Sequence, residues 1–167
     1  MALLSVRKGF LLGFFSTLFA LGFVLFLQEQ DHLSPCSLCI FQRIVVFALM
    51  GIFLFGTLHN PQKNTLKIYL GGGMIISALG LGIALRQVYL QHLPADQVPG
   101  CGPGLNFLFQ EYSFLDALKA VLQGSGDCAQ IQWKFLGLSL ANWSAFYFLG
   151  VLGLSGWVMV SAKGKGK

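Results

Sequence analysis

The sequence is poor in charge. Only 10% of its 167 residues are Asp, Glu, Lys or Arg, while 55% are hydrophobic. A soluble domain carries about 25% charged residues, so the composition indicates a membrane protein. Acids are the scarcer sign, six against eleven bases, for a net charge of +5. That excess invites a nucleic-acid reading, which the placement of the charges removes below. Cysteine is limited to four residues, an even number whose pairing depends on the redox compartment. Histidine is limited to His32, His59 and His92, at no metal-ligand spacing, and no haem or flavin motif occurs.

What the sequence has in quantity is long uncharged runs. Residues 9–27 are uncharged and about long enough to cross a hydrocarbon core. The run exceeds the roughly 7–15 residues of a signal-peptide core, and Gln28-Glu29-Gln30-Asp31 offers no small-residue cleavage site. A retained span is expected there. A second span is expected at 35–58, with Arg43 its only charge. A third, at 68–89, is small-sided through Gly71, Gly72, Gly73, Ser77, Gly80 and Gly82, a composition that lets helices approach closely in lipid, as does the Gly9 and Gly13 pair. No charge occurs from 135 to 162. The fourth span is expected within that run at 142–160, with Trp133 and Trp143 near the interface. The fold class is therefore all-α: a four-helix transmembrane bundle in a single membrane domain, 1–167, with outer loops at 28–34 and 90–141. Residues 105–122 of the long loop are apolar enough for a short interfacial helix, although Glu111 and Lys119 fall on the same side as Leu108, Leu115 and Leu122.

Four spans put both termini on one side. Arg7, Lys8, Lys63, Lys67, Lys163, Lys165 and Lys167 lie there without an acid. Glu29, Asp31, Asp96, Glu111, Asp116 and Asp127 all lie on the other side, with Lys119 and Lys134. The positive-inside rule makes the termini cytoplasmic. The positive charge then reports topology, with the lipid bilayer and not nucleic acid as partner. All four cysteines fall on the outer side, which is oxidising in a bacterium.

The stretch Ser34-Pro35-Cys36-Ser37-Leu38-Cys39-Ile40-Phe41-Gln42-Arg43 carries the chemistry. Ser34 suits an N-cap and Pro35 a first helical position. Cys36 and Cys39 then fall in a first turn, where free N–H groups and the dipole favour a thiolate. Arg43 follows on the same face. A buried structural disulfide needs neither the cap nor the cation, so a redox pair is the better reading. Cys101, among Pro99, Gly100, Gly102 and Pro103, and Cys128, after Gly124-Ser125-Gly126-Asp127, form a second candidate pair on a loop. Two pairs on one side suggest a thiol–disulfide relay, with electrons entering at the loop pair and moving to the membrane-edge pair. A lipid-soluble quinone fits as the sink, with Arg43 hydrogen-bonding a ring oxygen. His92, at the end of the third span, is a further candidate for lining the quinone pocket. Zinc on four thiolates is disfavoured, because the long spacing lacks a second Cys-x-x-Cys. No metal is expected. The alternative from another class is a non-catalytic four-span protein with static outer-face disulfides.

These residues resemble the bacterial disulfide-bond-formation protein B family, DsbB, over essentially the whole chain. The resemblance rests on Pro35-Cys36-Ser37-Leu38-Cys39-Ile40 with Arg43, on Cys101, and on Gly124-Ser125-Gly126-Asp127-Cys128-Ala129 followed by Trp133, Phe135, Leu136 and Gly137. It implies an inner-membrane protein dithiol:quinone oxidoreductase that reoxidises a periplasmic thioredoxin-like oxidase of the DsbA type and reduces ubiquinone or menaquinone. It further implies that Cys101 receives the partner's thiolate, that Cys128 exchanges with Cys36, and that Cys39 faces the quinone beside Arg43. Two departures stand out. The family often has an acid just before the arginine, where this chain has Gln42. The pocket histidine near the end of the third span matches only approximately, with Gln91 and His92 competing for its place.

Overall fold

A computed structural model describes residues 2–30, 35–59, 61, 63–94, 96–100, 107 and 110–164. Four long helices dominate: α1 (Ala2–Gln30), α2 (Ser37–His59), α3 (Lys63–Gln91) and α6 (Leu140–Gly164). Between α3 and α6 lie a short helix α4 (Phe114–Gln123), a single turn α5 (Gly126–Ala129), and two-residue strands β1 (Lys134–Phe135) and β2 (Leu138–Ser139). Three helical segments, Val6–Gln30, Ser37–His59 and Asn64–Gln91, are long and apolar enough to cross a membrane by length and composition. The chain is an all-α, multi-pass membrane bundle. Except at the start of α2, its helices run past the expected spans, since interfacial turns keep their backbone hydrogen bonds in place.

The helices associate in an arc: α1 on α2, α2 on α3, and α3 on α6. Apolar side chains alone do not drive association in lipid, so close steric fit must. The α1–α2 contact is a reciprocal fit of rings over glycines. Phe10 of α1 covers Gly56 of α2, and Phe53 of α2 covers Gly13 of α1; a β-carbon at Gly13 would stand 2.8 Å from the Phe53 ring. Gly9 meets nothing, so only one member of the small-residue pair serves packing. Across the α3–α6 contact, Phe148 covers Gly80, where a β-carbon would stand 2.6 Å away. Ser77 locks the same contact by donating to the Phe148 carbonyl at 2.8 Å. At the open side of the arc, the hydroxyls of Ser16 on α1 and Tyr147 on α6 lie 3.3 Å apart.

The second helix begins two residues later than the sequence suggests. Pro35 and Cys36 precede it, and the Cys36 carbonyl accepts its first bond, from the Ile40 N–H at 3.1 Å. Cys36 is thus the cap residue itself, while Ser34 lies outside the described residues. Of the expected helix at 105–122, Phe107, Gln110 and Glu111 are helical, positions 105, 106, 108 and 109 lie outside the described residues, and α4 begins at Phe114 after Ser113 turns extended at φ −56° and ψ 147°. Its Ala117 and Val121 are buried against the bundle, and Phe114, Leu115 and Leu122 remain exposed beside Lys119. The β1–β2 hairpin was not foreseen. Leu136 and Gly137 form its turn, at φ 53° and 80°, the double positive φ that a two-residue hairpin of this twist requires.

Candidate active site

One end of the bundle collects three of the four cysteines. Cys36 and Cys128 are buried with Leu38 and Leu90, and Cys39, Ile83 and Ala129 pack around them. The backbone brings Cys128 in through Gly124, which ends α4 at φ 78° and lies against the Leu90 and Leu38 side chains. A side chain there meets both an unfavourable backbone and Leu90, so glycine is required. α5 follows at once and carries Cys128 against the start of α2. Cys101 lies outside the described residues. Its neighbour Gly100 is tied to this turn, since the Gly126 N–H donates to the Gly100 carbonyl at 3.2 Å.

The three thiols form a compact set. The Cys36 and Cys39 sulfurs are 3.1 Å apart, well beyond a disulfide bond length, and all three are free thiols. The Ser37 hydroxyl lies 3.7 Å and the Ser125 hydroxyl 3.9 Å from the Cys128 sulfur. The neighbouring Cys36 thiol is the largest influence holding the Cys128 pKa down to about 5, against the effect of burial, with further help from the Leu38 and Ser125 backbone and from Ser37. The same contact, with Cys39 and burial adding to it, pushes the Cys36 thiol up. The contact thus favours the thiolate at Cys128 over that at Cys36. Sequence reasoning did not single out Cys128 as a thiol held low, because the cause lies on another element.

Cys36 and Cys39 also face a cavity of about 820 Å³ that lies towards α1 and α6. Arg43, Gln42, Gln87 and Gln91 share its wall, and Phe23, Trp133, Phe135 and Trp143 line it from the side of α1, β1 and α6. Trp133 stacks on Phe135 with centroids 5.9 Å apart, and Phe23 meets Trp133 edge-on at 6.0 Å. Arg43 donates through Nη1 to Gln28 Oε1 at 2.6 Å. Its Nε is buried and has no hydrogen-bond partner among the described residues. A buried charged donor left unpaired is costly, and here it belongs to a residue on the cavity wall.

Sequence reasoning left without a role two amides on this cavity wall, Gln42 and Gln87, and a third, Gln28, that contacts Arg43. Gln87 donates through Nε2 to the Cys39 sulfur at 3.1 Å and reaches the Cys36 sulfur at 3.6 Å. Gln42 donates through Nε2 to Gln87 Oε1 at 2.8 Å. Gln28 holds Arg43. The available signal was a polar side chain inside an apolar span, which in lipid marks function by default. Of Gln91 and His92, Gln91 lines the cavity and accepts from Ser139 at 2.6 Å. His92 is exposed, with Nδ1 2.8 Å from the Val88 carbonyl, and is not on the cavity wall. The expected pocket histidine is thus displaced by one residue's rotation about α3. Among the described residues, no group of three or more His, Cys, Asp or Glu side chains is placed to hold a metal.

Comparison with known proteins gives a consistent family. The family model for disulfide bond formation protein DsbB matches residues 6–158. A disulfide bond formation protein B of Nitrosococcus oceani is 47% identical over 153 residues, covering 90% of each chain. One from Chromobacterium violaceum is 48% identical over 154 residues, covering 92% of each. One from Acinetobacter baumannii is 46% identical over 140 residues, covering 82% of this chain and 81% of its own.

Proposed function

This chain belongs to the disulfide bond formation protein DsbB family, and from that membership and the grouping of its thiols we propose a protein dithiol:quinone oxidoreductase of the bacterial inner membrane. Both termini are cytoplasmic and the thiol end of the bundle is periplasmic. The partner is a thioredoxin-like oxidase of the DsbA type, which arrives reduced and leaves as a disulfide. The observation that carries this reading is the placement of Cys128. It is packed against Cys36 from the loop side, while Cys36 and Cys39 face the cavity that holds Arg43.

The relay balances in thiols and electrons. A partner thiolate attacks the Cys101–Cys128 disulfide at Cys101 and frees Cys128 as a thiolate. The partner's second thiolate then releases Cys101 and closes the partner's disulfide. Cys128 attacks Cys36 of the Cys36–Cys39 disulfide, forming Cys36–Cys128 and releasing Cys39. Cys101 attacks Cys128, restoring the loop disulfide and leaving Cys36 and Cys39 reduced. Each exchange needs an attacking thiolate and a reachable sulfur. The placement of Cys128 against Cys36 supplies the reachable sulfur for the second exchange.

The cavity residues fit a quinone. The unpartnered Nε of Arg43 suits a ring oxygen, and Gln87 and Gln91 add amide groups on the same wall. The aromatic and aliphatic wall suits an apolar ring and tail. Held by these residues, ubiquinone or menaquinone would supply the oxidant, taking up the two electrons and two protons that Cys36 and Cys39 release on reclosing. Gln87 orients the Cys39 sulfur through its N–H, and Gln28 fixes the guanidinium plane.

The test is reconstitution of the full chain in lipid with a reduced thioredoxin-like partner and a quinone, following quinone reduction by absorbance. Turnover that needs all four cysteines is expected. Absence of quinone reduction, with both disulfides surviving the reduced partner, would instead establish a static protein.

A further inference from the structure

Away from the thiols, α3 and α4 enclose a second groove of about 440 Å³. Its wall is split by chemistry. Arg86, Lys119 and Gln123 supply its polar part, and Leu115, Leu118 and Leu122 its apolar part. Arg86 lies within the membrane-spanning segment Asn64–Gln91. It donates through Nη2 to the Gln123 carbonyl at 3.0 Å and rests over the Tyr89 ring at 5.4 Å. Among the described residues, these contacts use one of its five N–H donors and no anion. Lys119 stands exposed one turn from Leu115 and Leu122 on α4. Asp116 is the acid nearest to Lys119 in sequence on that helix, and it is not on the groove wall.

A cation within a span needs a counter-charge, and in a bilayer the abundant one is a phosphodiester. The surrounding surface points the same way. Leu85 and Tyr89 of α3 and Leu115 and Leu122 of α4 are exposed, which in a membrane protein is lipid-facing surface. We propose that this groove binds one anionic phospholipid, with its phosphodiester between Arg86 and Lys119 and an acyl chain along Leu115, Leu118 and Leu122. The lipid pins α4 to α3 next to the Arg86–Gln123 contact. It thereby steadies Gly124, the residue after Gln123, and the turn that presents Cys128. The site does not depend on the redox chemistry and holds whether or not the chain reduces a quinone.

The test is native mass spectrometry of the full detergent-solubilised chain, titrated separately with phosphatidylglycerol, phosphatidylcholine, diacylglycerol and inorganic phosphate. One phosphatidylglycerol should bind per chain, more tightly than phosphatidylcholine, with diacylglycerol and inorganic phosphate weaker still. A basic residue near the membrane surface contributes about 1 kcal/mol to anionic-lipid attraction, or about fivefold in affinity. Lys119→Gln, an exposed change that leaves the core intact, should weaken phosphatidylglycerol about fivefold, and Arg86→Gln with Lys119→Gln about thirtyfold. Equal binding of diacylglycerol and phosphatidylglycerol would overturn the proposal, as would equal binding of phosphatidylcholine. Inorganic phosphate binding as tightly as the lipid would reduce the site to a free-anion site. Undiminished binding by Lys119→Gln would remove it altogether.

Discussion

Gln42 of α2 donates to Gln87 of α3 at 2.8 Å, and both side chains are buried. Because Gln87 Oε1 is occupied by Gln42, Gln87 Nε2 is turned towards the Cys39 and Cys36 sulfurs. One helix thus sets the amide that the other helix's thiols receive. Gln42→Leu should leave Gln87 Oε1 buried and unpaired, costing roughly 1–3 kcal/mol in stability. Gln42→Leu combined with Gln87→Leu should recover most of that loss while quinone reduction stays slow, because the donor to Cys39 is gone. Thermal unfolding and turnover of the two variants separate the effects. Additive stability losses would mean that the amides do not act as a pair.

Arg43 is expected to act on the quinone and not on thiol exchange. Arg43→Ala should raise the quinone KM by about tenfold to somewhat over a hundredfold, the range of a charge-assisted hydrogen bond of roughly 1.5–3 kcal/mol. Arg43→Lys should keep part of the effect, since the charge remains and the planar fork is lost. Gln28→Ala should produce a smaller rise, because it frees the guanidinium without removing it. Steady-state kinetics at saturating partner measures all three. An unchanged KM in Arg43→Ala would make the arginine a membrane anchor only.

The thiolate of Cys128 should be visible in its pH dependence. Its pKa is lowered to about 5 by the Cys36 thiol, against an ordinary value of about 8.5. A lowered pKa means that the folded state favours the thiolate. The stabilisation is full above the ordinary value and is lost as pH falls through about 5. In the reduced Cys39→Ser, Cys101→Ser protein, ultraviolet thiolate absorbance should therefore titrate near pH 5. Adding Cys36→Ala removes the donor and should move the midpoint up towards the ordinary value. A midpoint indifferent to Cys36→Ala would place the cause elsewhere.

Gly124 is where loop geometry and thiol placement meet. Gly124→Ala should destabilise the protein by about 1–3 kcal/mol through backbone strain, with the contact on Leu90 adding to it. Alkylation of the buried Cys128 should accelerate in parallel. Leu90→Ala in the same chain relieves the contact and leaves the strain, so only part of the stability should return. Full recovery would show that crowding against Leu90, and not φ, makes glycine necessary.

Order of electron flow can be read from a trapped adduct. Cys128→Ser should leave a partner lacking its own resolving cysteine covalently held on Cys101, on a non-reducing gel. The adduct should vanish with Cys101→Ala and persist with Cys39→Ala. An adduct through Cys36 or Cys39 in the absence of Cys101 would reverse the proposed order.

Much of this molecule follows from the chain alone. Hydrocarbon thickness sets the length of an apolar run, so residues 9–27 and 35–58 announce helices without any tertiary information. The two thiols and Arg43 share a face because helical spacing is local, and all three do line one cavity. Tertiary structure decided the rest. Successive residues on a helix differ by about 100° in direction, and only packing fixes which direction is inward. Phe10 over Gly56, Phe53 over Gly13 and Phe148 over Gly80 set that rotation, and with it Gln87 and Gln91 face the cavity and His92 does not. The approach of Cys128 to Cys36 and that of Gln87 to Cys39 join elements far apart in sequence. Periodicity carries no information about such contacts, because they arise from steric fit between helices and not from the order of residues within one.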